Sequence, residues 1–284
     1  MKGVSVDSRS ANPARLRAMV VPREHGAWGL LLVPLFTGAA AGIAANPRIF
    51  SVVLFTLAAL ALFWLRTPVE SLLGTTPLKA QTSSERRSVF VAILALTAIS
   101  GACLTALFWD HRNGGLLLLG GAAAAAFALQ ALLKKLSRSA RPAAQMVGVL
   151  GLTCTAPAAY YVATGRLDTN ALALWAANWI FAGDQIHFVQ LRIHAARAAT
   201  FHEKWAAGWT FFVIQILLLP FFAIAWHFRW IPALAMVAFV PVLVRGIAWF
   251  FRGPETLQIR SLGWSEMKQG ILFGMLLAAA FILS

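Results

Sequence analysis

Long apolar blocks alternate along the chain with short polar or basic connections, without the two-residue alternation of a half-buried strand. Nine blocks are long enough to read as membrane-spanning helices: about 26–44, 49–66, 88–109, 115–133, 142–163, 170–191, 206–226, 231–250 and 268–283. A hydrocarbon core about 30 Å thick takes roughly 20 mostly apolar residues in a helix. Local punctuation supports the boundaries. Asn46-Pro47 follows the first block, Arg66-Thr67-Pro68 the second and Gly165-Arg166 the fifth, while Asn113-Gly114-Gly115 marks a tight turn. Pro34, Pro157, Pro220 and Pro241 fall inside blocks and predict kinks. Gly38 and Gly42, four apart in the first block, would let another helix approach closely. The expected fold is all-α and polytopic, with a basic cytoplasmic segment over 1–25 and a nine-helix transmembrane domain over 26–284.

Composition strengthens this reading. Of the 284 residues 60% are hydrophobic and only 12% charged, about half the charged fraction of a soluble domain. The net charge of +14 would suggest nucleic acid if it lay on one soluble surface. It lies instead in the connections, so the expected partner is anionic membrane lipid, and not nucleic acid. With the N-terminus inside, 20 of the 24 basic residues fall on the cytoplasmic side. The remaining four are Arg48, Arg112, Arg166 and Arg229. This bias predicts a bacterial inner or plasma membrane protein with a cytoplasmic N-terminus and an external C-terminus. Cys103 and Cys154 each lie within an apolar block and read as small packing residues.

Polar side chains within or beside a span are costly, and so mark candidate chemistry. They gather at the predicted cytoplasmic ends: Arg66 and Glu70 after the second block, Arg141 and Gln145 before the fifth, Arg245 near the end of the eighth. The sixth block is richest. Asp184 and His187, three apart, share a helix face, while Asn178, Gln185 and Arg192 recur every seven residues on an adjoining one. Two readings stand for this block. It is a hydrogen-bonded packing cluster with Asp184 paired to an arginine, or it is a ligand site. In the second reading Asp184, His187 and His25 supply acid–base chemistry, and Arg23, Arg66, Asn178, Gln185 and Arg192 hold a substrate with an anionic head. Asp184 and Glu70, with His187 beside them, are the candidate metal ligands, and a carboxylate with an imidazole suits Zn, Mn or Fe better than Mg. Arg66 and Glu70, four apart, also read as a local ion pair, and Ser84-Glu85-Arg86-Arg87 as a solvated helix start.

The segment Pro22-Arg23-Glu24-His25-Gly26-Ala27-Trp28, followed by Val33-Pro34, resembles the signature of the YwiC-like family of bacterial membrane proteins. That family implies a membrane location and little chemistry. A more distant resemblance is to the UbiA-type intramembrane prenyltransferases, which share nine helices, an internal N-terminus and enlarged cytoplasmic loops after the second and sixth. It implies a UbiA-like bundle and transfer of a prenyl group from its diphosphate, with a divalent cation, Mg²⁺ or Mn²⁺, as cofactor. The carboxylate motifs of that superfamily are missing. The second block ends Leu65-Arg66-Thr67-Pro68-Val69-Glu70 and the sixth reads Asp184-Gln185-Ile186-His187-Phe188, so only Glu70 and Asp184 stand near the expected positions. Binding or modification of an isoprenoid or similar amphiphile is therefore the first expectation, and a transporter or a non-catalytic scaffold the alternatives. Broken helices and charges deep within the spans would favour the transporter.

Overall fold

A computed structural model describes residues 13–22, 25–74, 78–109, 113–136, 140–198, 200–253 and 257–284. In chain order the helices are α1 (Pro13–Val20), α2 (His25–Ala45), α3 (Ile49–Leu73), α4 (Ser83–Trp109), α5 (Asn113–Leu136), α6 (Arg141–Thr153), α7 (Thr155–Thr164), α8 (Thr169–His194), α9 (Phe201–His227), α10 (Ala233–Phe251) and α11 (Ile259–Ile282). The described residues hold no strand. Among the described residues eight helical segments, counting α6 and α7 as one, are long and apolar enough to cross a membrane. The remaining predicted span is α8. It is 26 residues long, yet its polar half keeps it below that apolar standard. Leu174, Phe181 and Phe188 along its middle are buried against other helices, while Leu172 and Ile193 near its ends are exposed. A middle section so placed has no need of a lipid-facing surface. The chain is thus an all-α, polytopic membrane protein.

Several boundaries differ from expectation. Residues 13–20, read as part of a polar tail, form α1. Helix α3 runs through Pro68 to Leu73 instead of ending at Arg66. The fifth block is two helices, divided at Cys154. Pro157 accounts for the break, since it has no N–H for the Thr153 carbonyl and its ring crowds that group. Helices α4, α9 and α11 each start earlier than expected, α11 by nine residues at Ile259 rather than 268. The extra turns of α9 and α11 contain Lys204 and Glu266.

The chain divides into two compact units. Unit 1 comprises 1–25 and 53–111, and unit 2 comprises 26–52 and 112–284. In unit 1, α1 packs on α4, and Met19, Ala80 and Val89 form a small buried core. The start of α4 carries a reciprocal cap. Thr82 Oγ1 accepts from the Glu85 N–H at 3.2 Å, while Glu85 Oε2 accepts from the N–H of Thr82 at 3.2 Å and of Gln81 at 2.9 Å. Arg15 Nε donates to the other Glu85 oxygen at 2.9 Å. Ser84, Arg86 and Arg87 are exposed, as expected of a solvated helix start, but Glu85 is buried under these partners.

Unit 2 has a larger core, drawn from α7, α8, α9, α10 and α11 with Ala41 of α2. Phe181 and Phe273 stack with ring centroids 3.9 Å apart, joining α8 to α11. The small residues of α2 lie against α7. A Cβ on Gly38 would fall 2.0 Å from the Ala156 carbonyl oxygen, and one on Gly42 2.9 Å from the Ala163 Cβ. The expected close approach is present and has a named partner. Cys154 donates its thiol toward the Leu119 carbonyl, and both cysteines are free and buried.

Candidate functional site

Within unit 2, four helices place polar side chains in one hydrogen-bonded chain. Arg245 of α10 donates through Nη2 to Asp184 Oδ2 of α8 at 2.8 Å and through Nη1 to Glu266 Oε2 of α11. Gln215 of α9 donates through Nε2 to the other Asp184 oxygen. All four residues are buried, Gln215 completely. The Arg245 guanidinium also lies over the Phe188 ring, 4.2 Å from its centroid. Two carboxylates around one guanidinium leave a formal charge of −1.

Helix geometry places this network inside the spans. At about 1.5 Å per residue, Asp184 lies ~15 Å from the His194 end of α8, and Arg245 ~9 Å from the Phe251 end of α10. By the same rise Glu266 lies ~10 Å from the Ile259 end of α11, and Gln215 ~21 Å from the Phe201 end of α9. The polar groups were expected at the helix ends. The early start of α11 draws Glu266 into a span instead.

The predicted site residues take several positions. Asp184 is the hub of the network. His187, half-buried, meets the Phe211 ring edge-on at 5.2 Å. Asn178 donates to Thr37 Oγ1 at 2.9 Å and to the Leu174 carbonyl at 2.8 Å, and Thr37 in turn donates to the Pro34 carbonyl at 3.0 Å. Asn178 thereby ties α8 to α2 at the proline. Gln185 donates to the Glu266 backbone carbonyl at 2.8 Å, linking α8 to α11. Arg192, half-buried, is close enough to Glu266 to act on its charge. Arg66 and Glu70 form an exposed ion pair at 2.8 Å within unit 1. Arg23 and the side chain of His25 lie outside the described residues.

Sequence reasoning noted Arg245 without giving it a role, and passed over Gln215 and Glu266. Gln215 was detectable as a polar residue at the centre of an otherwise apolar stretch. Glu266 fell in a predicted loop. Among the described residues, no group of three or more His, Cys, Asp and Glu stands together to hold a metal ion.

Two cavities lie in unit 2 away from the network. A small polar one is bordered by Arg192, Lys204 and Trp249. There Lys204 donates to the Arg252 carbonyl at 2.7 Å and the Trp249 carbonyl at 3.2 Å, closing the C-terminus of α10. The other, about 380 Å³, is apolar and opens between the start of α8, the end of α9 and the start of α10, with Ala177, Ile180, Phe222 and Phe239 in its wall.

Charges buried across three helices define a polytopic membrane protein with an internal polar site. Residues 21–160 match the model of the YwiC-like protein family. It is also 24% identical over 254 residues to the uncharacterized protein YwiC of Bacillus subtilis (strain 168), a match covering 89% of this chain and 95% of that protein. No solved structure matches the chain. The family match includes the Pro22–Trp28 segment and ends before α8, so the network lies beyond it.

Proposed function

We propose that this chain is a YwiC-like protein of the bacterial cytoplasmic membrane that carries a small polar or charged solute through unit 2. The carrying observation is the Asp184–Arg245–Glu266 network, made by three helices and buried within the spans. Ionisable groups in such a place are expensive, and they mark ion and substrate paths more often than they mark packing. The division of one span into α6 and α7 adds the broken helix common in transporters. Trp175 and Trp179 of α8 donate to the α6 carbonyls of Leu150 and Met146, at 3.1 and 3.2 Å. The excess of basic residues in the connections after α3, α5, α8 and α10 supports a cytoplasmic N-terminus and an external C-terminus.

The test is charge movement. Wild type and Asp184→Asn are reconstituted in proteoliposomes on a solid-supported membrane and challenged with amino acids, carboxylates, phosphate and amines. A solute-evoked current in wild type that is absent in the variant is the expected result. Silence toward every solute from correctly inserted protein would count against carriage.

The apolar cavity favours a second reading, in which an amphiphile such as an isoprenoid lays its chain between α8, α9 and α10. Its wall runs along α8 from Thr169 to Ile180, one turn short of Asp184, so the head would lie toward Asp184. Geranylgeranyl diphosphate with Mg²⁺ or Mn²⁺ would then raise the melting temperature in nanodiscs. Asp184→Ala would abolish the metal-dependent part.

A further inference from the structure

The network has more acceptors than donors. Gln215 Oε1, Glu266 Oε1 and Gln269 Oε1 are buried without a hydrogen-bond partner. The orientation of Gln215 is fixed, because its amide nitrogen must face the Asp184 carboxylate, so its oxygen is an acceptor. Gln269 lies one turn beyond Glu266 on α11. Buried acceptors left without donors are costly, and an uncompensated charge costs more. Arg245 donates to both carboxylates but cancels only one of their two charges. Its unpartnered Nε is a single donor, and Phe188 covers one face of the guanidinium.

The surroundings supply the missing charge only in part. Lys204 of α9 is committed to carbonyls at the end of α10, and Lys268 of α11 is exposed. His187 of α8 faces Phe211. Arg192 attracts Glu266 from further along α8, but it is half-buried at the cytoplasmic end of that helix.

We infer that the α8–α11 network binds one monovalent cation at the unpartnered Glu266 Oε1, with Gln215 and the Asp184–Arg245 pair holding the site in shape. The cation is a proton, Na⁺ or K⁺. All three meet the same need, one positive charge received by oxygen acceptors. The inference shares its site with the proposed carriage of solutes, where the cation would be the coupling ion, but it requires only binding.

The experiment uses the full chain in nanodiscs. Equilibrium binding of radioactive Na⁺, competed by K⁺, is measured alongside the infrared carboxylic-acid band between roughly pH 5 and pH 9. Either of two results supports the inference. One is saturable binding of about one Na⁺ or K⁺ per chain, weakened about tenfold or more by Glu266→Gln and by Gln215→Leu. The other, with no metal ion bound, is a pH-dependent carboxylic-acid band that disappears in Glu266→Gln. Absence of both signals from folded wild type overturns it, and that measurement needs no variant. Cation binding without solute current would sink carriage alone, and solute current without either cation signal would sink this inference alone.

Discussion

Asp184 on α8 and Arg245 on α10 meet at 2.8 Å, with side chains only 5% and 8% exposed. Such a pair costs a great deal in desolvation, and its loss from one side costs more than its joint replacement. Arg245→Met is therefore expected to lower stability by ~3–5 kcal/mol, because two carboxylates lose their cation. Arg245→Met combined with Asp184→Asn and Glu266→Gln should recover much of that loss. Thermal melting in nanodiscs would show it, and a triple variant no more stable than the single one would contradict the account.

Arg66 offers the opposite case. Its ion pair with Glu70 is exposed, one helical turn long, and open to screening. Arg66→Ala should change stability by no more than ~1 kcal/mol. A loss of activity at unchanged melting temperature would then identify Arg66 as a ligand contact. Unchanged activity would leave the local pair as its whole role.

The cap on α4 makes a prediction in unit 1. Thr82→Ala removes one half of the reciprocal Thr82–Glu85 arrangement and should cost ~1 kcal/mol. The effect should be local. Amide exchange is expected to quicken over the first turn of α4 and to stay unchanged in the middle of that helix.

Apolar block length made most of the fold legible, because a spanning helix is a local property of about 20 residues. The same logic hid α1, whose amphipathic turns are too short to register, and shifted α11, whose first turns are polar. Asp184 stood out as a carboxylate within a span. Its partners did not, since Arg245 follows it by 61 residues and Glu266 by 82, and pairing across helices leaves no periodic trace. Arg245 stood only as a polar residue near the end of the eighth block, and Glu266 looked like part of a loop. A lone Gln in an apolar helix was the one readable sign of α9's contribution.

Gly38 and Gly29 give a matched comparison on α2. A methyl group at Gly38 would meet the Ala156 backbone at 2.0 Å, which no rotamer change can relieve, whereas Gly29 has open space. Gly38→Ala should push α2 from α7 and cost ~1–3 kcal/mol or more. Gly29→Ala should be neutral or slightly stabilising, since Ala favours a helix by about 1 kcal/mol over Gly. The two changes add the same atoms to the same helix, so propensity and hydrophobicity cancel between them. A melting temperature lowered only by Gly38→Ala would assign the cost to the α2–α7 contact. Equal effects would mean that Ala156 does not stand where the close approach requires.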